Sequence, residues 1–185
     1  EMKKTMKQLS RSGIRTVDYA SGYHRRLDSA VRMNILDGMR QLSNELDKQF
    51  GEEYEADGVE ITVHEHPAPD HAEVQGHQFS NEDYSYFQDG LPAKDVNGKL
   101  FTHEHRPISA MNCYHRAFSI VIGVSEPEYT QEELDKIISD NNKGFEFEGK
   151  HYTLYEGTQL QRQIETKTRQ LKDESIALKS LGTDE

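Results

Sequence analysis

The chain has 185 residues, enough for one domain, or one domain with an appended helix, and a modest core. Hydrophobic residues make up 34% and charged residues 30%, with a mean hydropathy of -0.90, so part of the chain is expected to be extended, solvated or covered by a partner. A formal net charge of -11 argues against a dedicated nucleic-acid binder, a single cysteine excludes an intrachain disulfide framework, and no apolar run approaches a membrane span.

The polar start, Glu1-Met2-Lys3-Lys4, has no signal-peptide layout and reads as a piece of a longer polypeptide. Met2 to Leu9 is basic and helix-compatible, until Ser10-Arg11-Ser12-Gly13 breaks it. Ile14 to Tyr19 is strand-like. From Arg26 to Phe50, Leu27, Ala30, Val31, Leu36, Met39, Leu42 and Leu46 recur at three- and four-residue intervals, which predicts an amphipathic helix. Val59 to Val63 alternates apolar and polar residues as a half-buried strand does, and runs into the histidine-rich loop His64 to His71.

From there to Asn112 the sequence is punctuated by Gly76, Gly90, Pro92, Gly98 and Pro107 and reads as loops. Phe118 to Ile122 is a second strand. Thr130-Gln131-Glu132-Glu133 is a capping box opening a short helix that ends near Ser139. Phe145 to Leu154 reads as a hairpin turning at Glu148-Gly149, followed by a long helix from Gly157 to Ser180. In that helix Ile164, Leu171 and Leu178 fall seven apart, with Lys167 and Glu174 between them; such a half-filled seam suits a partner helix or the chain's own domain equally well.

The expected fold class is α+β: a small mixed sheet built from Val59–Val63, Phe118–Ile122 and the Phe145–Leu154 hairpin, with a histidine-rich loop region. An early amphipathic helix and a long C-terminal helix flank it. The expected organisation is an N-terminal arm over 1–22, a compact domain over 23–156, and a C-terminal helix over 157–185 that offers itself to a partner, including a second copy.

His64, His66, His71, His77, His103, His105, Cys113 and His115 all lie between residues 64 and 115. Imidazole and thiolate are the ligands Zn²⁺ prefers, and four complete a structural site. Cys113 and His115, with His71 and one of His64 or His66, would supply that set, and Zn²⁺ is the one cofactor these residues suggest. Ligands two apart are rarer than finger spacings, so a metal-free hydrogen-bonded cluster stands beside the metal reading. His66, Asp70, His71 and Glu73 also sketch a hydrolytic metal site, but Pro67 and Pro69 deny it the helix that His-Glu-x-x-His requires, and no catalytic residue is assigned.

Three segments resemble the phage minor capsid protein 2 family, relatives of the Mu F-like head morphogenesis proteins. They are Arg11 to Arg15 running on to Ala30-Val31-Arg32-Met33; His71-Ala72-Glu73-Val74-Gln75-Gly76 paired with Met111-Asn112-Cys113-Tyr114-His115-Arg116; and Tyr152-Thr153-Leu154-Tyr155-Glu156-Gly157-Thr158-Gln159-Leu160-Gln161-Arg162. Val74 stands where the family pattern carries an aromatic. The resemblance implies a structural protein of the phage head, internal or near the portal, acting in head assembly or genome delivery and made in the bacterial host cytoplasm. Implied partners are other virion proteins, portal or head subunits; Lys3, Lys4, Lys7, Arg11 and Arg15, and again Arg25, Arg26 and Arg32, offer local positive charge for a DNA contact. The paired cysteines of related head proteins favour metal at His71, Cys113 and His115. The alternative is a metal-dependent hydrolase or toxin-like effector built on His64, His66, His71, Cys113 and His115, with Glu73 as general base.

Overall fold

The computed structural model describes residues 4–5, 16–102, 105–110 and 113–180. In chain order the elements are β1 (Thr16–Asp18), β2 (His24–Arg26), α1 (Leu27–Glu53), β3 (Gly58–Ile61), β4 (Gln78–Ser80), α2 (Asn81–Gln88), β5 (Ala93–Lys94), β6 (Leu100–Phe101), β7 (Ala117–Ile120), α3 (Gln131–Lys143), β8 (Phe145–Phe147), β9 (Lys150–Tyr152) and α4 (Leu154–Lys179). The chain forms two compact units, Glu1–Ile35 with Glu156–Glu185, and Leu36–Tyr155. In the first unit β1 and β2 pair as an antiparallel hairpin, and Arg26 at its end donates to Asp173 of α4 at 2.6 Å. The basic N-terminal segment, apart from Lys4 and Thr5, lies outside the described residues.

The second unit is organised on β3, which pairs antiparallel with β4 on one side and β7 on the other. Ile61 and Phe79 are fully buried and, with Val74, Phe87, Ala93, Phe101 and Ile108, form the core; Val59 and Tyr84 close over it. The Phe79 ring sits 5.6 Å from Phe87 and 5.4 Å from Phe101, in the tilted arrangements aromatic quadrupoles favour. Glu60, on the other face of β3, is buried as well. It accepts from Gln78 Nε2 at 2.7 Å and from the Glu128 backbone N–H at 3.0 Å, because the segment leading to α3 covers that face.

The α+β class stands, with an early helix, a long C-terminal helix and small sheets between them. Every pairing is antiparallel, however, so the sheet is not mixed, and its third strand is β4 rather than the late hairpin. Among the described residues, strands β8 and β9 pair only with each other, through a two-residue turn at Glu148 and Gly149, both at positive φ. The stretch read as loops contains α2, capped by Ser80, whose side chain accepts from the Asp83 N–H.

Helix α1 follows the expected periodicity, yet its own chain leaves the apolar stripe uncovered. Leu27, Val31, Ile35, Met39, Leu42, Leu46 and Phe50 are 42–63% exposed, and of the apolar positions that predicted the helix only Ala30 is buried. The last turn of α1 lies directly on β7. Gly51 has no room for a Cβ against the Ser119 side chain, and the Ser119 hydroxyl donates to the Asp47 carbonyl at 3.1 Å. Arg116 pairs with Asp47 just ahead of that contact.

Candidate metal centre

The two inner strands deliver the site. Beyond Ile61 the β3–β7 ladder continues with Thr62 N–H donating to the Arg116 carbonyl at 2.8 Å and Arg116 N–H donating to the Thr62 hydroxyl at 2.9 Å. That continuation sets His64, just after β3, beside His115, just before β7, with ring centroids 4.5 Å apart and nearly perpendicular. The loop after Pro69 closes in short turns, with His71 N–H donating to Ala68 O at 2.9 Å and Gln75 N–H to His71 O at 3.1 Å. Gly76 then adopts φ +73, and its N–H returns to Ile61 O at 2.8 Å. That left-handed φ favours glycine, and a Cβ there would lie 2.6 Å from the Leu134 Cδ2 of α3, which would have to shift.

These turns bring His71, Cys113 and His115 together, all three buried, with one ligand atom from each lying within 4.8 Å of the others. Cys113 Sγ is 3.4 Å from His71 Nδ1 and 3.5 Å from His115 Nδ1. Both rings are held in a defined tautomer. His71 Nε2 is 2.7 Å from the Arg106 carbonyl, which can only accept, so the proton is on Nε2. Gln75 Oε1 accepts the His64 backbone N–H at 2.9 Å, which fixes that end of the amide as oxygen, and His115 Nε2 donates to the same oxygen at 3.1 Å. Each ring therefore turns an unprotonated Nδ1 toward the sulfur. A hydrogen-bonded far nitrogen and a bare near nitrogen are the arrangement of metal-ligating histidines, and this trio could coordinate a metal ion.

The electrostatics keep the trio neutral. Burial pushes the Cys113 thiol pKa up and the His71 pKa down; burial, then the neighbouring His64 and His71, lower His115 to about 3. Burial works against the Asp70 charge, but the Arg106 fork outweighs it and holds that carboxyl at about 2. Arg106 Nε donates to Asp70 Oδ2 at 2.7 Å and Nη2 to Oδ1 at 3.0 Å, a bidentate pair that also fixes the carbonyl on which His71 rests.

Of the other residues singled out in the sequence, His64 is partly buried with its Nε2 buried and unpartnered. His66 is exposed and lines a surface hollow with Glu65, Tyr129, Glu133 and Lys136, apart from the trio. Glu73 is exposed, and Asp70 is engaged by Arg106. His103 lies outside the described residues, and His105 stacks on Phe87 with its Nε2 on the Phe87 carbonyl. Gln75 and Arg106, which orient the ligands, are not singled out by the sequence as site residues, and Asp70 enters there only within the rejected hydrolytic motif. The only signal for Gln75 was its place in the His-Ala-x-x-Gln-Gly segment. A thiol that is 3% exposed gives a substrate no approach, so the geometry favours holding an ion over attacking a bond.

The model of phage minor capsid protein 2 matches residues 2–185. The chain belongs to the phage minor capsid protein 2 family. No curated protein and no solved structure matches it. Membership makes the chain a structural protein of the phage head that interacts with other virion proteins, and nothing in the site favours the hydrolase or effector alternative over that role. Among the described residues of this minor capsid protein, no helix is long and apolar enough to cross a membrane.

Proposed function

We propose that this minor capsid protein works inside the head, at or near the portal, as a scaffold element gripped by a portal or head subunit along the exposed stripe of α1. The stripe carries the reading. Within the second unit, Met39, Leu42, Leu46 and Phe50 fall within an arc of about 80° at 100° per residue, and all are exposed. A contiguous apolar surface of this length on an otherwise polar, acidic chain marks a protein–protein contact. On α4, Ile164, Leu171 and Ile176 are exposed too, which supports this C-terminal helix as a further contact, including with a second copy. DNA is the weaker partner: Arg26 is committed to Asp28 and Asp173, and the net charge is -11.

The test is incorporation into particles. Met39→Glu and Leu42→Glu together place two charges on the stripe at positions already in water. Stability should stay within about 0.5 kcal/mol of the parent, while the amount of chain recovered in purified heads falls sharply. Wild-type recovery of this double variant in heads would overturn the docking reading.

A further inference from the structure

We propose that the chain binds one Zn²⁺ through the Cys113 thiolate, His71 Nδ1 and His115 Nδ1, and that His64 closes the coordination sphere as the fourth ligand. With Zn–S of about 2.3 Å and Zn–N of about 2.05 Å, a tetrahedral site has sulfur–nitrogen edges of about 3.6 Å. The two edges here are 3.4 and 3.5 Å. An S–H can donate to only one of the two Nδ1 lone pairs facing it, so the metal-free cluster is short of protons where a cation fits.

His64 is the donor best placed to complete the set. Its Nε2 is buried without a partner, its ring lies against His115, and its backbone N–H shares the Gln75 oxygen that orients His115. His64 stands outside the set whose ligand atoms lie within 4.8 Å of one another, so its imidazole would have to turn to reach the ion. Binding removes one proton, from the Cys113 sulfur to solvent; the two rings are already neutral, and nothing is oxidised or reduced. Three neutral imidazoles and one thiolate leave a site of charge +1. The ion would join the loop after β3 to the loop before β7, a role independent of which subunit grips α1.

Titrating the full chain, stripped with chelator, with Co²⁺ and then Zn²⁺ tests this. One equivalent of Co²⁺ should give a near-ultraviolet thiolate-to-metal band and the intense visible bands of four-coordination, and Zn²⁺ should bleach both. Cys113→Ser should lose the thiolate band. His64→Ala should weaken Zn²⁺ by at least about tenfold and convert the visible spectrum to that of a more open site. His66→Ala should change neither. Because His64 is partly exposed, its alanine variant remains folded and decides the fourth ligand whatever happens to Cys113→Ser. Failure of the wild type to bind one equivalent would overturn the site, and an unchanged affinity and spectrum in His64→Ala would overturn His64 as ligand.

Discussion

Gln75 takes two donors on one oxygen and so sets both the tautomer of His115 and the position of the His64 backbone. A second histidine is governed by a carboxylate: His77 Nδ1 lies 2.7 Å from Asp95 Oδ2, and both residues are buried. Burial lowers the His77 pKa below 6.5 in spite of that carboxylate, and burial lowers His71 and His115 as well, the last to about 3. Each of these groups binds its proton more readily unfolded than folded, so stability increases with pH across the window they span. The melting temperature of the metal-free chain should be level from pH 6.5 until the Cys113 thiol begins to ionise in the unfolded chain, around its ordinary 9.0, and should fall steadily below pH 6.5 toward about pH 3, with Asp70 adding a loss of the same sign below 3.8. A melting temperature that rose on acidification from pH 7 to 5 would contradict the neutral, buried state of these rings.

Among the elements, α3 shows how far local sequence reaches. Its capping box forms in both directions, Glu133 N–H to Thr130 Oγ1 at 3.3 Å and Thr130 N–H to Glu133 Oε2 at 2.8 Å, and it places Leu134 in the core. Thr130→Ala should cost about 1 kcal/mol, seen as a lower denaturant midpoint at unchanged slope. The capping signal, the period of α1 and the alternation of β3 were all legible because each is written within a few neighbouring residues. Helix α2 was missed although Ser80 and Asp83 carry a comparable start signal, since the glycines and prolines around it dominated the reading. The choice of β4 over the late hairpin as third strand depends on contacts between distant segments, as does the exposure of the α1 stripe, and neither is encoded in a local period. In the site, His71, Cys113 and His115 were legible as a set through the paired motifs. That His66 stands exposed while His64 lies against His115 is not legible there, because both sit in one short loop.

At the level of the whole molecule, a core of seven buried apolar residues around Phe79 is small for the chain it organises, and a bound ion would supply cross-linking that packing does not. If Zn²⁺ occupies the trio, free ion at a thousandfold excess over its Kd adds about 4.1 kcal/mol to stability. Chelation should then lower the melting temperature, and Zn²⁺ but not Mg²⁺ should restore it; a melting temperature indifferent to chelator would speak against the ion. The contact at Gly51 has a mechanical side as well. Where α1 rests on β7, only the short Ser119 side chain stands between the two backbones, a thin layer that yields little to displacement. A displacement of this stretch of the helix would be felt at Ser119 and, through Asp47 and Arg116, at the stretch of chain next to His115. A partner seated on the helix would therefore press close to the sulfur–imidazole cluster.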